Sequence, residues 1–329
     1  MFYKRLIVLL LLVGIISYCV IYFTVDINTL RNLIDFQPWS VAAAFFSVLI
    51  GLFLDGFRLI QLVRLSGEKI TPMQAARVVF GNYFLALLTP GFSGGAVAQL
   101  MFLRYAEVPM GKAAIIVVVR TLISILFLFV CMPFILLSDD GVLPWVSNKL
   151  LMWFSLLAIA GTIALIWAMV SGSFDKVAVF IAKRISHKKG RKLMGFYHDN
   201  KKAILLLSSS PAAMFKVFII SGLSLIALYA VVPFLLMGLG AKVNWIMVMG
   251  RMVFLNLFLY FSPTPGGSGI AEGGFILLFN TIAPQGTVGV VAVGWRLFAE
   301  YIPFLVGFYY TIKVFGRGFL GKKTLNKGK

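Results

Sequence analysis

The chain has 329 residues, 60% hydrophobic and only 12% charged, with a mean hydropathy of +0.97 and a net charge of +19. Soluble domains are nearer half apolar and a quarter charged, so the composition excludes a water-soluble globular protein, a disordered chain and a nucleic-acid-binding domain. The 30 Lys and Arg residues lie between long apolar runs. They are therefore read by position, because basic residues of membrane proteins gather on cytoplasmic loops.

Residues 6–25 form an apolar run of about one bilayer width behind Lys4 and Arg5, with no small-residue cleavage site. This reads as an uncleaved first helix that starts in the cytoplasm. Residues 40–63 return to Arg64 and Lys69, residues 113–137 lead out to Asp139 and Asp140, and residues 150–170 lead back. The segment 171–202 follows. From 174 to 202 it holds nine basic and two acidic residues, net +7, with Phe174, Val177, Phe180, Ile181 and Ile185 at helical spacing. Two readings stand for it, an amphipathic helix on the anionic inner leaflet and a plain positive-inside loop. Ser210-Pro211 has the form of a helix start. Residues 215–239 go out and 288–312 come in, followed by Lys313, Arg317, Lys322, Lys323, Lys327 and Lys329. Both termini are expected in the cytoplasm and the protein in the cytoplasmic (inner) membrane.

Two apolar stretches are too short for ordinary spans. Residues 75–89 end in Pro90-Gly91-Phe92-Ser93-Gly94-Gly95, and residues 245–262 end in Pro263-Thr264-Pro265-Gly266-Gly267-Ser268-Gly269. Gly and Pro clusters break helices, and at membrane depth the freed backbone must face protein or a wet cavity. Each stretch is read as a helix–break–helix hairpin, with two ordinary spans as the alternative. The two also match in order. Arg77, Phe80 and Asn82 recur 174 residues on as Arg251, Phe254 and Asn256. Thr89-Pro90-Gly91, Ser93-Gly94 and Ala96 recur 175 on as Thr264-Pro265-Gly266, Ser268-Gly269 and Ala271, and Arg120 recurs 176 on as Arg296. Charge placement makes the first hairpin enter from the cytoplasm and the second from outside. The expected fold is an all-α polytopic membrane protein, a single transmembrane domain over 1–329. It has about six full spans and two re-entrant hairpins arranged as an inverted repeat, with halves at 40–137 and 213–312. Broken helices in inverted repeats are a transporter signature.

Candidate site residues follow from the cost of polar groups in a bilayer. Helix N-termini at the breaks suit phosphate or carboxylate, and Gly94, Gly95, Gly267, Ser268 and Gly269 would let it approach the backbone. The alternative is that these residues serve tight turns and close helix packing. Arg120 lies about 12 Å into its span by helical rise, and Arg296 at similar depth from the other side. Arg58, Arg77 and Arg251 lie nearer span ends, where snorkelling competes. Buried arginine is normally paired or functional, and its planar fork suits phosphate. Arg120, Arg296, Arg58 and Arg251 are therefore the expected phosphate ligands. Asp55 with Arg58 and Arg296 with Glu300 share helix faces, which fits ion pairs. Glu272 follows the second break, where capping, pairing with Arg296 and proton transfer are all open to it. Asp55, Glu272 and Glu300 are read as balancing charge or coupling protons. Cys19 and Cys131 fall in apolar runs, and His187 and His198 in a basic segment, so no metal, cofactor or catalytic constellation is read.

The chain resembles the lysylphosphatidylglycerol synthase transmembrane family of flippase-like membrane proteins. The resemblance rests on Asp55 to Arg58 with Gln61 and Gly67, Gly81-Asn82 through Pro90-Gly91 and Gly94-Gly95, and Arg120. In the second half it rests on Pro263 to Gly269 with Glu272, Arg296 and Pro303. It implies a lipid flippase. The family's best-understood members move aminoacylated phosphatidylglycerol and are fused to a soluble transferase, whereas this chain ends at Lys329 and is expected to stand alone. The sequence departs from the pattern at Ala96, Gln99 and Ala271, where the family often has Asp, Arg and a basic residue. The expected function is translocation of an anionic membrane lipid, with no enzyme activity and no nucleic-acid partner. The alternatives are a secondary transporter of a small soluble anion and a lipid-binding partner of a separate lipid-modifying enzyme.

Overall fold

Proline and side-chain caps set where the helices begin. A computed structural model describes residues 36–90, 93–139, 147–171 and 210–316, with isolated positions between 179 and 205. Helix α1 (Pro38–Leu65) starts with proline in its first turn, where the missing N–H costs nothing. Helix α2 (Pro72–Leu87) starts at a capping box. Thr71 Oγ1 accepts from the Gln74 N–H at 3.2 Å, and Gln74 Oε1 accepts from the Thr71 N–H at 2.8 Å. Then follow α3 (Ser93–Tyr105), α4 (Met110–Ser138), α5 (Asn148–Val170), α6 (Pro211–Tyr229), α7 (Val231–Gly238), α8 (Trp245–Tyr260), α9 (Ile270–Phe279), α10 (Val288–Arg296) and α11 (Ile302–Thr311). A π-helical turn, Leu297–Tyr301, joins the last two. Pro303 has no N–H for the Ala299 carbonyl, and the hydrogen-bond ladder widens there. Pro233 likewise cannot serve the Tyr229 carbonyl, and the helix is interrupted at Ala230, between α6 and α7.

Four helical units among the described residues are long and apolar enough to cross a membrane. They are Pro38–Leu65, Met110–Ser138, Pro211–Gly238 and Val288–Phe315, matching four of the expected spans. The expected span 150–170 is helical as α5, with a shorter apolar stretch at Asn148–Ala164. The expected span 6–25 and nearly all of the basic segment 171–202 lie outside the described residues. Ser210 stands at the start of α6 with Pro211 at its first position, but its side chain makes no capping bond.

The burial pattern is that of a membrane protein. Asp55, Arg58, Arg120, Arg251, Glu272, Arg296 and Glu300 are buried, while Phe53, Phe134, Leu137 and Leu157 are about 70% exposed around the outside. In water that distribution would be unstable; a hydrocarbon surround satisfies it.

The two unusual segments are helix–break–helix hairpins. Helix α2 packs along α3, and α8 against α9. Their arms run from 10 to 16 residues, at most about 24 Å by helical rise against a hydrocarbon core of about 30 Å. The breaks touch. Pro90 and Pro265, which stand at matched positions in the sequence, pair in antiparallel fashion, and the Gly266 N–H donates to the Thr89 carbonyl at 3.3 Å. Gly266, Gly267 and Gly269 all have positive φ, +57°, +68° and +82°, which side chains rarely tolerate. At the first break the requirement is space. A β-carbon on Gly94 would come within 2.5 Å of the Leu85 carbonyl and Thr89 Oγ1. Helix α11 closes over α2, with Phe84 against Phe304 and Phe308, ring centroids 5.2 and 5.5 Å apart.

Gly94→Val should therefore destabilise the α2–α3 hairpin by about 1–3 kcal/mol, the scale of overpacking. It should lower the melting temperature of the detergent-purified protein. Gly111→Ala, which meets open space, should melt within a degree or two of wild type.

Candidate functional site

Among the described residues the buried charges fall into three clusters. In the first, Asp55 and Arg58 lie one turn apart on α1 and Arg120 reaches across from α4. Asp55 Oδ1 accepts from Arg58 at 2.5 Å, and its other oxygen pairs with Arg120 Nη2. Arg58 Nη1 also donates to Ser124 Oγ at 2.8 Å and to Ser221 Oγ on α6. One carboxylate thus serves two guanidinium groups, and the cluster carries one excess positive charge. The Nε donors of both Arg58 and Arg120 are buried and meet no acceptor among the described residues.

The second cluster is the converse. Arg296, 1% exposed, donates through Nε to Glu272 Oε1 at 3.1 Å, and through Nη1 to Glu300 and to the Gly266 carbonyl, the latter at 3.0 Å. Two carboxylates share one guanidinium, which leaves one excess negative charge. Glu272 both caps α9, accepting the Gly269 N–H at 2.7 Å, and pairs with Arg296. The third cluster joins α8 to α4. Arg251 on α8 holds Asp139 at the end of α4 through Nε at 2.7 Å and Nη2 at 3.3 Å, and donates through Nη1 to the Leu278 carbonyl.

A cavity of about 300 Å³ lies between the two hairpins and the long helices. That is the lower end of ligand-pocket sizes, enough for a head group. Arg58, Arg120 and Asp55 line it from one side and Glu300 and Trp295 from the other, with Asn82, Asn256, Gln99, Tyr83 and Tyr260 between. Asn82 and Asn256 stand at matched positions in the sequence, 174 residues apart. Asn82 Oδ1 accepts from Gln99 Nε2 at 2.7 Å, while Asn256 donates back to the Met252 carbonyl.

Of the residues expected at the site, the structure brings Arg58, Arg120, Asp55 and Glu300 to this cavity. Arg296 sits behind Glu300, and Arg251 is elsewhere, clamped by Asp139. Gly94 and Gly95 are buried against α2. The Gly94 N–H is taken by Thr89 Oγ1 at 2.7 Å and the Gly269 N–H by Glu272. The break N–H groups at Gly94 and Gly269 are thus met by the chain's own side chains. Gly267 and Ser268 form the turn itself, donating to the carbonyls of Thr264 and Pro265. Asp139, Tyr83, Ser124 and Ser221 were not singled out by sequence. The repeat-matched asparagines were the available signal for the cavity, whereas nothing in the spacing pairs Asp139 with Arg251.

Residues 6–307 match the family model described as the lysylphosphatidylglycerol synthase TM region, and the chain belongs to that family. It is also similar to a curated protein of Archaeoglobus fulgidus named UPF0104 membrane protein, at 21% identity over 249 residues, covering 73% of this chain and 76% of that one.

The buried clusters should be thermodynamically asymmetric with the surface. Asp55→Asn leaves two guanidinium groups short of a counter-charge and should cost about 3–5 kcal/mol. Lys112→Ala breaks the half-exposed pair with Glu68 and should cost under about 1 kcal/mol. Denaturant titration of the purified protein checks both.

Proposed function

We propose that this membrane protein translocates an anionic lipid, a phospholipid or a polyprenyl-phosphate-linked one, across the cytoplasmic membrane. The head group enters the central cavity while the tails stay in the bilayer. The observation that carries the reading is the Arg58–Asp55–Arg120 cluster. It has net positive charge, lies at the cavity wall, and has two buried N–H donors that meet no acceptor among the described residues. Unmet guanidinium donors in a low-dielectric site favour a charged acceptor with several oxygens, which a phosphate supplies. Ser124 adds a hydroxyl at the same wall.

Alternating access between inverted halves supplies the route. An antiparallel contact between the equivalent Pro90 and Pro265 is what a two-fold axis in the membrane plane would generate. The shared lining by Asn82 and Asn256 fits the same relation. A unit packed in two orientations can open the cavity to either side by rocking one half against the other. Both termini are proposed to lie in the cytoplasm, on the strength of the positive charge beside the spans.

Reconstitution into liposomes carrying a fluorescent anionic phospholipid tests this. The wild type should speed exchange between leaflets well above protein-free vesicles. Arg58→Ala and Arg120→Ala should each slow it by at least about tenfold, the scale of one charge-assisted hydrogen bond. Arg251→Lys, outside the cavity, should slow it less than either. Exchange no faster than in empty vesicles would overturn the lipid reading, and uptake of a soluble phosphate or carboxylate instead would replace it with solute transport. Equal rates in wild type and both alanine variants would overturn the residue assignment.

A further inference from the structure

The central cavity is bounded by two charge clusters of opposite excess. The Asp55, Arg58 and Arg120 side chains carry one positive charge beyond balance, and the Glu272, Arg296 and Glu300 side chains one negative charge beyond balance. Empty, the cavity region is neutral as a whole. A phosphate monoanion seated on the arginines cancels the positive excess and leaves the negative one alone in a low-dielectric site, where uncompensated charge costs several kcal/mol. Neutrality returns when one proton joins the second cluster.

The two carboxylates of that cluster differ in their fitness to take it. Both oxygens of Glu272 already accept, Oε2 from the Gly269 N–H at 2.7 Å and Oε1 from Arg296 Nε at 3.1 Å. Glu272 also stands apart from the cavity lining. Protonating it would uncap α9. Glu300 bonds Arg296 through Oε2, its Oε1 takes no donor among the described residues, and it lines the cavity. It sits in the π-helical turn Leu297–Tyr301, a local distortion that recurs at functional positions. If Glu300 is neutralised, Arg296 remains paired by Glu272 alone, one charge against one.

We propose that Glu300 is the proton site of a coupled cycle, in which one proton enters this cavity with each anionic head group. The inference rests on the head-group site set out under Proposed function and adds the coupling ion to it. The groups that face Glu300 are consistent with a single titrating carboxyl. On α10 there is Arg296, on α9 Glu272, and on α2 the Tyr83 hydroxyl, which lies within electrostatic reach of Glu300, Asp55 and Arg120 alike. Tyr301 adjoins it in the chain. Helix α1, packed on the same turn, contributes Asp55 and Arg58, which are committed to each other, and α8 contributes Tyr260 to the lining. Helix α11 contributes no charged side chain.

The test is binding of a short-chain phosphatidylglycerol to the detergent-solubilised protein across pH 5 to 9, with proton uptake read in weakly buffered solution. In the wild type the bound state holds one more proton than the free state. The bulk pH should therefore rise on binding by the equivalent of about one proton per lipid. The dissociation constant should climb about tenfold per pH unit once free Glu300 is ionised, as linkage requires. In Glu300→Gln the climb should vanish, and at pH 9 this variant should bind more tightly than wild type. The wild-type proton count needs no variant, so a poorly folded Glu300→Gln leaves the proposal decidable. Saturable binding with no proton uptake and a flat pH profile would overturn the coupling while leaving the lipid reading intact. No saturable binding at any pH would overturn the lipid reading and the coupling with it.

Discussion

A charge inside a bilayer must have a counter-charge, and this architecture is organised around meeting that demand. Helices in lipid have little hydrophobic reason to associate, because the tails outside are as apolar as the residues inside. What ties these helices together is the set of buried arginines. Arg120 joins α4 to α1 through Asp55, and Arg58 joins α1 to α6 through Ser221. Arg251 joins α8 to the end of α4 and to the end of α9. Arg296 joins α10 to α9 and to the carbonyl of Gly266 in the second break. Removing one partner from such a set leaves a buried ion uncompensated, which is why each link matters more than the half-exposed Lys112–Glu68 pair.

The breaks obey the same accounting for backbone. A helix that stops at membrane depth exposes N–H and C=O groups that no water can reach. Here Thr89 takes the Gly94 N–H, Glu272 takes the Gly269 N–H, Arg296 takes the Gly266 carbonyl, and the Thr89 carbonyl takes the Gly266 N–H from the opposite break. Each hairpin is thus completed partly by residues far away in sequence. The glycines serve this closure: the positive φ values of the second break and the tight fit of Gly94 against α2 permit it.

Much of this was legible in the sequence, and the reason is periodicity and charge. Apolar run length gave the long helices, Pro-Gly clusters gave the breaks, and the Arg–Asn–Pro-Gly order gave the correspondence between segments. Same-face spacing gave the Asp55–Arg58 and Arg296–Glu300 pairs. What sequence could not supply was contact between distant elements. Nothing in spacing links Asp139 to Arg251, or lets one Asp55 answer two arginines. Spacing leaves two readings of the break glycines, a cradle for an anion and a tight turn, and capping by Glu272 is one of three roles open to it. The bonds from the Gly94 N–H to Thr89 and from the Gly269 N–H to Glu272 are contacts in space that spacing alone does not select. Depth along a span also failed to rank the arginines. Arg296 is the most buried of them yet stands behind Glu300, while Arg58, near a span end by sequence, lines the cavity.

The two segments that match in sequence are opposite in charge. Arg120 and Arg296 occupy corresponding places, yet the first shares a carboxylate with a second arginine and the second shares itself between two carboxylates. The positive excess lies on α1 and α4, and the negative excess on α9, α10 and the π-helical turn. Any displacement of α1 and α4 relative to α9 and α10 therefore draws unlike charges apart or together. For a generic pair of unit charges, moving from about 6 to 12 Å at an effective dielectric constant of about 20 costs of order 1 kcal/mol. That is comparable to the differences that shift conformational populations. A ligand that neutralises each cluster separately would remove that restraint, and one that neutralises only the positive cluster would not. On the translocation reading proposed above, an empty cavity would hold the two groups of helices to each other electrostatically, and full charge compensation at both walls would be the physical condition under which they are free to move.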